Sequence, residues 1–289
     1  MRIIPASELI INGDGTVFHL HMRPEQLAPK VILVGDPGRV PMVSGRFSEI
    51  ECSGGNREFV WATGLYRNER ITVLSTGIGS DNIDIVMNEL DALANVDFKS
   101  RAPRYDRNTL TILRLGTSGA LQPDVEIGSF VMSAWSIGID PLARFYKGAG
   151  TVCATAVEEA FIRHMNWPQS LSRPYVVEAS HMLRRRFEPM ASSGFTLSAP
   201  GFYAPQGRYL TLEPEIDDFI PKLESFDYNG RRITNIEMES SSIALLSSLM
   251  GHQAITVCLI IAQRHMQASD ADYNDAMDTM IASALACLV

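Results

Sequence analysis

Apolar, β-branched runs recur along the chain and alternate with segments in which apolar residues have helical spacing. Most of the runs lack the alternation of apolar and polar residues that is typical of a strand with one solvent-exposed face. They therefore predict strands that are buried on both faces. The alternation of such strands with helices indicates an α/β sandwich with a mostly parallel sheet. The predicted strands are residues 31–34, 71–75, 110–115, 129–133, 175–177 and 254–262, and the predicted helices are residues 84–94, 155–165 and 239–250.

The remaining segments predict loops and a single domain. Polar residues dominate 95–108, 168–174 and 188–201, and no linker or internal repeat divides the chain, so we expect residues 1–289 to form one domain. Residues 243–262 carry no full charge and are long enough to span a bilayer. Gly251, His252 and Gln253 interrupt this stretch, which therefore predicts a buried helix, a tight turn and a central strand.

Composition and charge narrow the class of function. The chain is 46% hydrophobic and 20% charged, which excludes a disordered or collagen-like protein. Its net charge of −8 argues against a nucleic-acid partner. The four cysteines lack metal-ligand spacing, so we expect reduced thiols and no metal site. The N-terminal residues lack the apolar core of a signal peptide, which predicts a cytoplasmic protein without a membrane partner.

Three glycine-containing segments, at 31–39, 73–79 and 112–120, contain or follow apolar strands and predict turns. None is a Walker A motif or a complete GxGxxG sequence. Backbone N–H groups at strand-to-helix turns nevertheless bind anions, and two of these segments carry Arg39 and Arg114. Because ligands of open α/β sheets bind where such turns cluster, the segments predict an anion site.

Seven short motifs give the chain a family resemblance. They are VFHL at 17–20, GDPGR at 35–39, NREF at 56–59, STGIG at 75–79, LRLGTSGALQP at 113–123, QGR at 206–208 and NIEMES at 235–240. In this order they resemble the nucleoside phosphorylase family, and within it the uridine phosphorylase type. The resemblance implies a three-layer α/β/α sandwich with a central mixed, mostly parallel sheet. Residues 1–16 would be an N-terminal extension and residues 95–108 an inserted loop.

The activity that the resemblance implies is phosphorolysis of uridine to uracil and ribose 1-phosphate. Inorganic phosphate is then a co-substrate, and no cofactor is needed. The family match places phosphate at Gly35, Arg39, Arg57, Arg114 and Thr117, which suits guanidinium forks and oxyanions. In the family, the residue matching Arg57 comes from a neighbouring subunit. The resemblance therefore implies a homo-oligomer, a dimer or a trimer of dimers, with active sites shared across the subunit interface.

The resemblance also assigns the ribose site. Glu239 would accept hydrogen bonds from the 2′- and 3′-hydroxyls, Met238 would form an apolar wall, and His19 would reach the 5′-hydroxyl across the subunit interface. Together with Arg114 and Arg208, Glu239 is expected to act directly in catalysis.

The base site follows from the same resemblance. It falls on Phe202, Gln206 and Arg208, since Gln206 can donate to and accept from a uracil edge and Arg208 can stabilise the leaving anion. Purine members place an acid in the segment matching residues 261–264, whereas this chain has Gln263 and Arg264 there. This difference favours a pyrimidine substrate.

Other activities remain open at this point. A hydrolytic nucleosidase, including an AMP-cleaving one, and a non-catalytic nucleoside-binding homologue would use the same fold. Some family members bind a monovalent cation through the residue matching Glu58. Asn82 stands where those members have an assisting serine, which argues against a cation here.

Overall fold

The computed structural model describes residues 2–264, 268–269 and 272–289. The strands in this part of the chain are β1 Lys30–Val34, β2 Glu49–Asn56, β3 Phe59–Tyr66, β4 Glu69–Ser75, β5 Val96–Asp97, β6 Ala102–Pro103, β7 Thr111–Ala120, β8 Phe130–Gly138, β9 Tyr175–Glu178, β10 Ser192–Ser198, β11 Asp227–Tyr228, β12 Arg231–Glu237, β13 Gln253–Gln263 and β14 Ala268–Ser269. The α-helices are α1 Arg39–Ser44, α2 Ser80–Asn95, α3 Thr155–Met165, α4 His181–Phe187, α5 Phe219–Ser225, α6 Ser240–Met250 and α7 Asn274–Leu288.

A large mixed sheet runs through the molecule in the order β11-β12-β10-β8-β13-β7-β1-β4-β3-β2. The strands are parallel through β4, β1, β7 and β13, and again through β8, β10 and β12. They are antiparallel where β13 meets β8 and in the β2–β3–β4 meander. The carboxyl ends of β1, β4, β7 and β13 consequently lie at one edge of the sheet, where open α/β sheets bind ligands.

Helices cover both faces of the sheet, as β1 illustrates. Successive side chains of a strand point to opposite faces. Ile32 and Val34 pack in a core with α1, α4 and α7, whereas Val31 and Leu33 pack in a second core with α2 and α6. Helices α3 and α5 contribute to a third core with β10 and β12. The predicted three-layer α/β/α sandwich is thus confirmed, and the strong apolar runs are its central strands.

The prediction for residues 243–262 is confirmed as well. Helix α6 ends before Gly251, whose φ of 79° is the left-handed conformation that glycine adopts without strain, and β13 follows. Most residues of both elements are buried. Within the described ranges, none of the helices has the length and apolarity needed to cross a membrane.

Two predictions of local structure were wrong. Residues 188–201, expected as a loop, contain β10, because Phe195 and Leu197 are buried where this short strand pairs with β8 and β12. Residues 112–120, expected to contain a turn, are part of the continuous strand β7, which pairs in parallel with β13 along its length. Gly116 and Gly119 therefore lie inside a strand.

The segment 95–108 is more ordered than the predicted exposed loop. It contains the two-stranded β5–β6 hairpin, and Asn95 is fully buried. The Arg101 guanidinium donates to the carbonyls of Ile4 at 2.8 Å, Pro5 at 3.1 Å and Leu9, while the Ile4 N–H donates to the Arg101 carbonyl at 2.8 Å. The segment therefore binds the N-terminal residues to the body of the protein.

Candidate active site

A cavity of about 1020 Å³ opens at the carboxyl ends of the central strands. The turns after β1 and β4 meet there, since a Cβ built on Gly35 would lie 3.5 Å from the carbonyl oxygen of Gly77. Nine of the eleven predicted site residues line this cavity, namely Gly35, Arg39, Arg114, Thr117, Phe202, Gln206, Arg208, Met238 and Glu239. Segments far apart in the sequence thus converge on one cavity.

A buried cluster of one cation and two carboxylates forms part of the cavity wall. Arg114, on β7, makes ion pairs with Glu237, at 3.2 Å between Nη1 and Oε2, and with Glu239. All three residues are no more than 4% exposed. Burial opposes the charged form of Arg114, but Glu239 and Glu237 outweigh it and raise its pKa. Burial and the nearby Glu237 raise the pKa of Glu239, while Arg114 counteracts them in part.

The two carboxylates have different roles in this cluster. Glu237 accepts from the N–H groups of Glu239 and Ser240 at 2.9 Å, so it caps the start of α6. Glu239 accepts from the N–H of Gly79 at 2.8 Å. Gly79 has φ 97° and ψ 163°, a conformation that requires glycine. The STGIG motif therefore positions Glu239, a role that sequence analysis did not assign.

Gly116 leaves the space that the Arg114 side chain occupies. A Cβ at Gly116 would lie 2.1 Å from Nη1 and 2.8 Å from Cζ of Arg114. The guanidinium therefore lies directly over the backbone of its own strand. This close approach explains the glycine within β7, where glycine otherwise weakens a strand.

Arg39 is buried but is bound quite differently from Arg114. It begins α1, and its Nη2 donates to the hydroxyl of Tyr273 at 3.3 Å. The guanidinium also lies 5.9 Å from the centre of the Tyr273 ring. Among the described residues, no carboxylate lies within ion-pair distance of Arg39. Its guanidinium lines the same cavity as Gly35.

A second group of cavity residues surrounds Arg208. Its guanidinium lies 3.7 Å from the centre of the Phe202 ring and donates to the Phe202 carbonyl at 2.5 Å and to Gln206 Oε1 at 2.6 Å. Gln206 is 4% exposed, whereas Phe202 is half exposed. The structure thus brings together the three residues that the resemblance assigned to the base.

Arg264, which sequence analysis noted only for the lack of an acid, adds a second cation to this group. It donates to the carbonyl of Gln206 and lines the same cavity. Burial and the proximity of Arg264 lower the pKa of Arg208 to about 10, so Arg208 remains charged at neutral pH. In the described part of the chain, neither guanidinium has a carboxylate partner. The signal for Arg264 was its position just after the predicted strand at 254–262.

His19 and Arg57 do not line the cavity. The segments that carry these two residues contact each other. The turn between β2 and β3 contains Arg57, which is exposed and has φ 54°. Its neighbour Asn56 donates to the His19 carbonyl at 3.2 Å. Glu58, on the other side of Arg57, accepts from the Asn82 amide at 3.3 Å.

Residues 2–264, 268–269 and 272–289 contain no group of three or more His, Cys, Asp or Glu side chains that could hold a metal.

Sequence comparison defines the class of protein. The model of the phosphorylase superfamily matches residues 29–289. The chain therefore belongs to the phosphorylase superfamily, a family of pentosyltransferases that bind nucleoside and phosphate.

Individual relatives carry two different substrate names. The chain is 28% identical to a uridine phosphorylase of Thermococcus kodakarensis over 254 residues, covering 87% of this chain and 79% of the relative. It is 26% identical to a purine nucleoside phosphorylase of Geobacillus kaustophilus, covering 84% of each. Among solved structures, it matches a Trypanosoma brucei nucleoside phosphorylase described as showing uridine phosphorylase activity. That match has a TM-score of 0.84 and 29% identity, and it covers 97% of this chain and 99% of the other.

Proposed function

We propose that this protein is a pyrimidine nucleoside phosphorylase that cleaves uridine with inorganic phosphate to uracil and ribose 1-phosphate. The observation that carries the proposal is the pair of guanidiniums, Arg208 and Arg264, beside the amide of Gln206. Two cations that have no carboxylate partner among the described residues favour an anion between or beside them, and the base leaves as an anion in this reaction. Proton donation to a purine ring would instead call for an acid at this end.

The proposed reaction needs no protein nucleophile. A phosphate oxygen forms a bond to C1′ as the C1′–N1 bond breaks, and the electron pair of that bond leaves with uracil. The transition state has oxocarbenium character, so orientation and charge stabilisation supply the catalysis. Arg208 stabilises the departing uracil anion, which then takes a proton from water.

The phosphate site is proposed at Gly35, Arg39, Arg114 and Thr117, with Arg57 from a second subunit. Because Glu237 and Glu239 compensate the charge of Arg114, Arg39 supplies most of the net attraction for the phosphate dianion. Arg114 in turn supplies fixed donors, since a guanidinium has five N–H groups in a rigid plane.

The ribose site is proposed at Glu239 and Met238, with His19 from a second subunit at the 5′-hydroxyl. Arg57 and His19 lie outside their own cavity and in adjacent segments, which supports a homo-oligomer in which each subunit completes its neighbour's site. A dimer or a trimer of dimers would satisfy this geometry.

The substrate class is tested by incubating the purified protein with phosphate and either uridine or inosine. The proposal predicts uracil and ribose 1-phosphate from uridine, at a kcat/KM at least about tenfold above that for inosine, a difference that corresponds to about 1.4 kcal/mol. A preference for inosine would contradict the proposed role of Gln206 and Arg208. Chromatography of the free bases and of pentose 1-phosphate distinguishes the outcomes.

A further inference from the structure

The side chain of Glu89, on α2, binds the segment that carries His19. Its Oε1 lies 2.7 Å from Nδ1 of His19 and accepts from the His19 N–H at 3.1 Å. Its Oε2 accepts from the Leu20 N–H at 2.9 Å. One largely buried carboxylate thus fixes both the backbone and the ring of His19, although the two residues are seventy positions apart in the sequence.

Two aromatic rings also contact the imidazole of His19. The Phe18 ring meets it edge to face at a centroid distance of 4.9 Å, and the buried Phe59 ring does so at 6.4 Å. The ring is therefore restrained in plane and direction. About a quarter of the His19 side chain is still exposed, at 27%, which leaves part of it free to meet a ligand.

The contacts of Glu89 decide which ring nitrogen of His19 carries the proton. Two backbone N–H groups donate to the Glu89 side chain, so its oxygens serve as hydrogen-bond acceptors. The Nδ1 atom, at 2.7 Å from Oε1, must then be the donor. In the neutral imidazole the other nitrogen, Nε2, carries a lone pair, because the hydrogen bond of one ring nitrogen sets the state of the other.

We propose that Glu89 is a positioning residue that sets the specificity of the protein for the 5′-hydroxyl of its nucleoside. This inference rests on the proposed function, in which His19 contacts the nucleoside in the partner subunit's cavity. Glu89 holds the ring so that Nε2 accepts a hydrogen bond from the 5′-hydroxyl. A nucleoside without that hydroxyl leaves the acceptor unpaired, and a 5′-phosphate dianion places negative charge against a lone pair.

The test compares uridine with 5′-deoxyuridine, which differs only at the proposed contact. The variants are Glu89→Gln, His19→Ala and the double variant, all assayed for phosphate-dependent uracil release. The amide that Glu89→Gln introduces has one oxygen for three donors, and its NH₂ group can donate to Nδ1, so the tautomer is no longer fixed. Asp91→Asn is the matched control, because Asp91 lies on the same helix but binds Arg107 and His252 instead.

The expected result is a ratio of kcat/KM values, uridine over 5′-deoxyuridine, that falls about tenfold in Glu89→Gln, as loss of one hydrogen bond predicts. His19→Ala lowers the ratio similarly, the double variant lowers it no further, and Asp91→Asn leaves it unchanged. An equal loss for both nucleosides in Glu89→Gln would overturn the inference and indicate a purely structural carboxylate. So would a wild-type protein that uses both nucleosides equally, even though its phosphorolysis would leave the proposed reaction intact.

A spectroscopic measurement tests Glu89 independently of turnover. Long-range ¹H–¹⁵N spectra of histidine-labelled protein report which ring nitrogens are protonated, and His19→Ala identifies the His19 signals. We expect an Nδ1–H tautomer in the wild type and its loss in Glu89→Gln. An Nε2–H tautomer in the wild type would overturn the inference. Failure to cleave either nucleoside would overturn the proposed function, and the tautomer would still decide whether Glu89 fixes the ring.

Discussion

The guanidinium of Arg114 and the carboxylate of Glu239 form a buried ion pair in the cavity wall, each residue being 4% exposed. In the proposed reaction Arg114 binds phosphate and Glu239 binds ribose. The two substrate sites therefore share one charged unit, and Gly79 holds its carboxylate end through a 2.8 Å hydrogen bond. Any change that displaces Arg114 is expected to affect both substrates.

Replacement of Arg114 should damage both stability and activity. Arg114→Ala leaves Glu237 and Glu239 buried without their cation, which costs about 3–5 kcal/mol of unfolding free energy. Uridine phosphorolysis should fall by orders of magnitude in the fraction that remains folded. Urea unfolding and single-substrate kinetics check the two effects, and turnover like that of the wild type would remove Arg114 from the site.

Replacement of Arg39 should weaken phosphate binding strongly but lower the stability of the fold only slightly. No carboxylate in the described part of the chain depends on Arg39, so Arg39→Ala should cost only about 1 kcal/mol through its lost hydrogen bond to Tyr273. The KM for phosphate should rise about 10- to 100-fold, as the loss of a charge-assisted contact predicts. Phosphate titrations at saturating uridine measure this change. An unchanged KM for phosphate would contradict the proposed anion site.

A methyl group at Gly116 should disrupt the site without touching substrate. Gly116→Ala places Cβ where the Arg114 guanidinium lies, so the side chain must move. Displacement of a positioned group by about 1 Å can cost about 100-fold in rate, and we expect a fall in kcat/KM of that order. Gly150→Ala is the control, because a Cβ there would meet nothing within 4 Å. Equal activity of the two variants would show that Arg114 tolerates a different position.

Arg208 should matter for turnover and hardly for folding. Arg208→Ala removes one of two neighbouring cations, and the relief of repulsion with Arg264 should offset the loss of the hydrogen bonds to Phe202 and Gln206, so the melting temperature should change little. The kcat for uridine should fall strongly, since the uracil anion loses its donor. Thermal unfolding followed in parallel with kcat distinguishes this result. A fall in stability that matches the fall in activity would indicate a structural role instead.

The central part of the fold was predictable because its strands have strong patterns. Runs such as Val31–Val34 are buried on both faces, and no other local structure suits an apolar, β-branched run of that length between helices. The edge of the sheet was not predictable in the same way. Strand β2 is mostly exposed and includes Gly54 and Gly55, so its pairing with β3 determines its conformation and its own sequence does not.

In the candidate site, too, some residues were predictable from the sequence and others were not. Arg114, Gln206 and Glu239 lie in motifs with fixed spacing, and the structure brings them to one cavity. Tyr273 and Glu89 carry no local signal, since each acts through a residue far away in the sequence. Such pairs depend on how the sheet and helices pack, and residue patterns along the chain do not encode them directly.

The most direct test of the proposed phosphorolysis is uracil release from uridine by the purified protein, measured with and without inorganic phosphate. Release is expected only with phosphate, in equal amounts with ribose 1-phosphate. Release without phosphate, accompanied by free ribose, would contradict it and indicate a hydrolytic nucleosidase. No release under either condition would contradict the assignment of uridine as substrate.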